Sequence, residues 1–202
     1  MTWLFPLRMR IVGPTADSMS FQKIDITSEV EIPINPHVGA FGAERRYDVH
    51  KGVDLYCPDG TEVYAVEAGV LCHLRGFTGK VANCNWWHNT WALSVAGKSG
   101  IVVYGEIEIA NRFSSHSLVV RTYAPAERVE LFYFQAMEIQ KGELLGYVKR
   151  VLKKDKGRPT SMLHLALHSH GVLSNGVWEI GSPQPEGLLN PTAFLLDSEE
   201  NK

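Results

Sequence analysis

Asp59-Gly60-Thr61-Glu62-Val63-Tyr64-Ala65-Val66-Glu67-Ala68-Gly69-Val70-Leu71-Cys72-His73-Leu74 is the stretch that decides the fold class. Two short β-rich runs, Val63 to Val66 and Val70 to Leu74, are divided by Ala68-Gly69 and preceded by Pro58-Asp59-Gly60. Glycine and turn-prone polar residues at those points let the chain reverse. The same alternation continues downstream. Further candidate strands are Trp91 to Val95, Ile101 to Ile109, Ser117 to Thr122, Val129 to Phe134, Leu144 to Val148 and Leu163 to His168, with Gly97-Lys98-Ser99-Gly100 and Lys141-Gly142 among the separators. Ile139-Gln140-Lys141-Gly142-Glu143-Leu144-Leu145-Gly146 rhymes with the opening stretch, each reading as strand, glycine turn, strand. Short runs at this spacing, with no sustained 3.6-residue period, predict an all-β protein, a sandwich or a barrel. The best helical candidate is the short tail Pro191 to Leu196. Residues 1 to about 48 hold Pro6, Pro14, Pro33 and Pro36 without any period, and read as a strand or two plus loops wrapping the domain.

The totals narrow the function classes. The chain has 202 residues, 45% hydrophobic and 21% charged, which is ordinary for a globular protein with one well-buried core. A net charge of −2 gives no general attraction for phosphate-rich partners, so no nucleic acid is expected. One modest basic cluster runs from Lys149-Arg150 through Lys153, Lys154 and Lys156, and reads as a solvated face. The three cysteines, Cys57, Cys72 and Cys84, form neither a disulfide framework nor a cysteine zinc pair, which favours a reducing compartment. The apolar start is broken by Pro6 and too short for a signal peptide, and no run approaches the roughly 20 apolar residues of a membrane span. Neither export nor membrane insertion is expected.

Two motifs carry chemistry. In His50-Lys51-Gly52-Val53-Asp54 an imidazole and a carboxylate, both standard zinc ligands, lie four residues apart. A straight strand would hold them roughly 13 Å from each other, so Gly52 is the position that lets the backbone bend. Alone, the motif reads first as a loop histidine beside a capping aspartate, since such spacing often arises by chance. In Met162-Leu163-His164-Leu165-Ala166-Leu167-His168, strand alternation puts the leucines on one face and Met162, His164, Ala166 and His168 on the other. His168 lies about 13 Å along the strand from His164 and is not expected to share an ion with it.

In this order the segments resemble the lysostaphin-type zinc metallopeptidases. Phe41-Gly42, His50-Lys51-Gly52-Val53-Asp54-Leu55, Asp59 to Ala65, Ala68-Gly69-Val70, Tyr104-Gly105-Glu106, Lys141 to Gly146, Leu163-His164-Leu165 and Asn190-Pro191 follow the family's pattern over roughly residues 40 to 196. The resemblance implies a single antiparallel β-sandwich or half-barrel of the duplicated hybrid motif type, with long loops and a short C-terminal helix. Residues 1–40 would be an N-terminal extension packing on a peptidase domain, 41–202, with an insertion near 108–134. It implies one zinc ion per chain held by His50, Asp54 and His164, and hydrolysis of peptide cross-links in bacterial cell-wall peptidoglycan. Two family histidines are replaced here, one by Met162 and one by Glu106. Glutamate can take a proton from water and methionine cannot, so Glu106 is the expected general base. Tyr104, Met162 and His168 are the expected substrate-binding residues. The alternative is a catalytically impaired relative that keeps the metal site and binds peptidoglycan or a protein. A sugar-transport phosphocarrier reading is weaker, since no phosphohistidine pair stands out. Without an export signal, the expected setting is cytoplasmic, or delivery by a phage or virion to the wall. Trp86, Trp87 and Trp91 with His88 read as core packing or as the lining of a groove for glycan or peptide; His116, inside the insertion, has no assigned role.

Overall fold

The computed structural model describes residues 2–114, 120–124, 129–133, 137–174 and 176–201. His116, the start of the strand expected from Ser117, Phe134 and part of the 108–134 insertion lie outside them. The strands are β1 (Arg10–Thr15), β2 (Glu29–Pro33), β3 (Val53–Tyr56), β4 (Glu62–Tyr64), β5 (Gly69–Thr78), β6 (Thr90–Gly97), β7 (Ile101–Ile109), β8 (Val120–Ala124), β9 (Val129–Tyr133), β10 (Met137–Ile139), β11 (Leu144–Val148), β12 (Met162–His168) and β13 (Leu188–Leu189). Two short helices are α1 (Asn111–Ser114) and α2 (Thr192–Leu196), the second matching the expected helical tail. The protein is all-β. Among the described residues no helix is long and apolar enough to cross a membrane.

Eleven strands form one branched antiparallel sheet whose spine runs β13-β12-β7-β6-β5-β9-β8. The remaining pair, β1 and β2, is parallel, a departure from the expected antiparallel arrangement. The first 40 residues also do more than wrap the outside. Trp3, Phe5, Leu7, Val30 and Ile32 are all at most 1% exposed and belong to the same core as Leu93, Leu163 and Leu167. The two rhyming stretches pack against each other, β4 pairing with β11 and β10 with β5.

The alternation read in Met162–His168 sorts the two faces of the sheet. Leu163, Leu165 and Leu167 point into the main core with Tyr104 and Leu93. On the opposite face Ala166, Val103 and Ala92 form a smaller cluster against Phe77. Position 106 interrupts β7. Trp91 faces Ile107 and Leu93 faces Tyr104, so Ala92 alone opposes both Gly105 and Glu106. This is a β-bulge, and Glu106 adopts φ 64° within it. The sheet also divides there: residues 101–105 of β7 pair with β12, whereas 107–109 pair with β11.

A left-handed backbone costs a residue with a Cβ about 1–2 kcal/mol relative to glycine. Glu106→Gly should therefore unfold at higher urea than Glu106→Ala, by about 1 kcal/mol, since both lose the carboxyl and differ only in backbone strain. Equal midpoints would mean that the bulge relaxes at no cost.

A candidate metal centre

His50 is fixed by backbone pairing on both sides of its peptide. Its N–H donates to the Ala43 carbonyl and its own carbonyl accepts from Gly42, each at 2.9 Å. Its Nδ1 lies 2.9 Å from the Ala40 carbonyl. A carbonyl only accepts, so Nδ1 carries a hydrogen and Nε2 is the nitrogen that faces inward. Asp54 is set by register: β3 pairs antiparallel with β12, and Asp54 sits directly opposite His164.

These three side chains converge. His164 Nδ1 is 3.0 Å from Asp54 Oδ1 and 3.1 Å from His50 Nε2, and His50 Nε2 is 3.2 Å from the same carboxylate oxygen. Ligands of a tetrahedral zinc ion at about 2.0–2.2 Å stand ~3.3–3.6 Å apart. The triangle needs to open by only a few tenths of an ångström to hold such an ion. His50 and Asp54 are buried and His164 nearly so, and the group could hold a metal ion.

Gly52 makes the approach possible through clearance. A Cβ there would stand 2.5 Å from the Leu165 carbonyl oxygen and 2.8–2.9 Å from the His164 ring. The expected bend is thus a close contact between backbones, with the His164 imidazole lying over a residue that has no side chain.

Charge organises the surroundings. The Arg45 guanidinium bonds Asp54 Oδ2, the oxygen turned away from the histidines, and also donates to the Val38 carbonyl at 3.0–3.1 Å. Burial alone would raise the Asp54 carboxyl. The pull of His50 and Arg45, with hydrogen bonds from His164 and His50, outweighs it and holds the group well below the usual carboxylate range. Burial pushes the His164 imidazole down to about 4, with Asp54 pulling the other way. His164 is therefore neutral, as a ligand must be. Glu106 shows the opposite effect: burial first, and the Asp54 charge second, raise its carboxyl well above the ordinary range, while Arg45 opposes them. Its Oε2 is buried and has no hydrogen-bond partner among the described residues.

The other expected site residues fall differently. Tyr104 is fully buried in the main core and its hydroxyl oxygen accepts from the Val66 N–H at 2.9 Å, so no substrate can reach it. Its side chain belongs to the core because β7 alternation at 104 is undisturbed; the bulge comes after it. His168 lies four residues beyond His164 on the same strand, opposite Leu188 and Ile101, and is not among the metal-binding group. Met162 is half-buried opposite Tyr56, one strand position pair from His164 on the same face. Arg45 carries no sequence signal, because only the fold brings it to Asp54. Phe77, whose ring stands 5.2 Å from that of His164, was legible in principle. It alternates with His73 and Arg75 once the irregularity between Leu71 and His73 is known. His73 is itself buried, with both ring nitrogens lacking partners, and burial pushes it down to about 4.

An unfolded histidine titrates near 6.5. Between about 6.5 and 4 the unfolded chain takes up a proton that folded His164 refuses. The metal-free protein should therefore lose stability as pH falls through that window, and gain nothing from this group above it. His164→Gln should flatten the dependence by about 1.4 kcal/mol per pH unit, leaving the slopes due to the other shifted groups: His73 and His37 of the same sign, and Glu106, raised by burial, of the opposite sign. Urea unfolding in a chelator from pH 4 to 7 measures this; parallel slopes would place the proton elsewhere. Separately, Gly52→Ala should destabilise the fold by about 1–3 kcal/mol through overpacking and weaken metal uptake in the same protein. No family model matches the chain and no curated protein matches it, so functional inference starts from this cluster.

Proposed function

We propose that the protein is a zinc-dependent metallo-endopeptidase of the lysostaphin type, acting on peptide cross-links of bacterial cell-wall peptidoglycan. What carries the reading is the converging triangle of His50 Nε2, Asp54 Oδ1 and His164 Nδ1, supported by a Glu106 carboxyl that feels the Asp54 charge and whose Oε2 has no hydrogen-bond partner among the described residues. Two imidazoles and one carboxylate are a donor set that zinc takes, with one coordination position left for water or substrate. A zinc ion there would supply Lewis-acid polarisation of a carbonyl and acidification of water. The peptidoglycan substrate follows from the family resemblance of the His50–Leu55, Asp59–Val70 and Leu163–Leu165 segments.

Each protein group has a separable task. His50 is oriented by the Ala40 carbonyl, which fixes which nitrogen faces the ion. Arg45 occupies the outer oxygen of Asp54 and leaves Oδ1 for the metal. With a metal ion bound, Glu106 Oε2 would be the group to take a proton from water and return it to the leaving amine. Its raised affinity for protons comes partly from the Asp54 charge. Sharing that charge with a cation lowers it toward the range in which a general base works near neutral pH. Phe77 packs on the His164 ring and keeps bulk water off that ligand.

One feature favours the non-catalytic alternative. Met162 occupies the site face beside His164, and a thioether can neither take a proton nor stabilise an oxyanion as a histidine would.

Elemental analysis of untagged protein should find about one zinc per chain, lost in His50→Ala and His164→Ala. Glu106→Gln should retain zinc and lose hydrolysis of purified peptidoglycan by ~10²-fold or more. Full metal content in either histidine variant removes the ligand assignment. Zinc-loaded wild type that binds but never cuts wall material favours the binding module.

A further inference from the structure

Away from the metal-binding cluster, an open cleft of about 360 Å³ is lined by Lys80, Trp87, His88, Asn89, Lys149 and Lys153. It is a built feature with two walls. Trp87 forms a β-bridge with Leu152, the His88 N–H donates to the Val151 carbonyl at 2.9 Å, and Lys153 Nζ donates to the Asn85 carbonyl at 2.7 Å. The Asn89 side chain accepts from the Lys80 N–H at 2.7 Å and closes the near end. Beside the cleft, Trp86 is 69% exposed, its ring 6.4 Å from that of Trp87 and nearly perpendicular to it. An indole left that open is a large apolar face without a covering partner among the described residues, the kind of residue that anchors ligands.

The charge here runs against the rest of the molecule. Residues 149–158 hold six of the chain's 20 lysines and arginines but only one of its 22 acids, in a protein of net charge −2. Lys149 pairs with Glu108, whereas Lys80 has no acidic partner among the described residues. One wall of the cleft is tied to the β7 bulge, because the Lys149 N–H donates to the Glu106 carbonyl at 2.9 Å.

We propose that this cleft binds an acidic saccharide chain, with the indoles of Trp86 and Trp87 stacking on sugar rings and Lys80 and Lys153 meeting its carboxylates. A sugar ring offers an apolar C–H face and a polar rim, which matches indole flanked by ammonium, imidazole and amide groups. Nucleic acid fits less well. Its phosphates come about every 1.7 Å along a duplex, and a molecule whose remaining surface is acidic repels so dense a polyanion, whereas widely spaced carboxylates need only the local lysines. The binding does not depend on the peptidase reading, since none of the residues that line the cleft belongs to the His50, Asp54 and His164 group.

The probe is a hyaluronan hexasaccharide, in which uronate alternates with N-acetylhexosamine, titrated against the whole chain by tryptophan fluorescence at fixed ionic strength. Saturable quenching is expected, at least tenfold weaker with neutral chitohexaose and at least tenfold weaker in Trp86→Ala and in Lys80→Glu. Both positions are exposed, and unchanged urea midpoints would show that the variants fold. His50→Ala should bind the hexasaccharide normally, so loss of the metal cluster and loss of the saccharide cleft are separate results. Equal binding of the neutral sugar, unchanged affinity in both variants, or tighter binding of an oligothymidylate would overturn the proposal.

Discussion

The register of β3 against β12 is the constraint on which the site depends. Asp54 faces His164 because four consecutive pairs, from Met162 opposite Tyr56 to Leu165 opposite Val53, hold the strands in step. A slip of one residue would send Asp54 to the leucine face and put Val53 or Leu55 toward His164, because side chains alternate at every position. The leucines make that slip expensive. Leu163, Leu165 and Leu167 are each fully buried in the main core, and each would lose about 1.5–3 kcal/mol of burial if turned to the other face. The hydrophobic core thus fixes the positions of two polar ligands that contribute nothing to it.

The bulge at Glu106 is the second device. A regular strand would place residue 106 on the same side as Tyr104, among core side chains. The extra residue and the left-handed backbone at 106 re-aim its carboxyl and at the same point hand the edge of β7 from β12 to β11. Backbone strain and an unpaired buried acid at one residue are both unfavourable to stability. Their coincidence beside a candidate metal centre is what a functional constraint looks like when folding alone would have selected a glycine or an apolar side chain.

Much of this was legible in the residues. Ile101–Ile109 and Leu144–Val148 stand where β-rich composition placed them, and β5, β6 and β12 differ from expectation only at their ends. The convergence of His50, Asp54 and His164 into a group that could hold a metal ion was legible because they sit in patterned segments. What escaped has a common physical cause. The strand or two expected before residue 48 are β1 and β2, but their bounds and their parallel pairing across a gap in the chain are announced by neither alternation nor a hairpin turn. β10 and β13 are three and two residues long, too short for any period to register. Tyr104 was expected at the substrate from the resemblance, whereas alternation places it with Leu165 in the core. Arg45 reaches the site through a tertiary contact that leaves no local spacing, and the alternation of Phe77 shows only once the irregularity between Leu71 and His73 is known.

The metal-free cluster is already satisfied, and that bears on what a cation would do. Asp54 is bonded by Arg45 and by both histidines, and the Ala40 carbonyl holds His50. None of these contacts requires an ion, and the core that sets the register, from Trp3 to Leu195, lies on the other side of the sheet. Folding and metal binding are thus separable here, unlike small zinc domains in which the ion supplies most of the folding free energy. The structural price is carried by the protein: a carboxylate kept ionised among buried groups and an imidazole kept neutral beside it. A divalent cation would take the carboxylate as it stands and would displace the hydrogens that the two imidazoles present to Asp54. Side chains that already converge before an ion arrives lose little free energy to reorientation on binding, and affinity then follows from the donor set and that proton release.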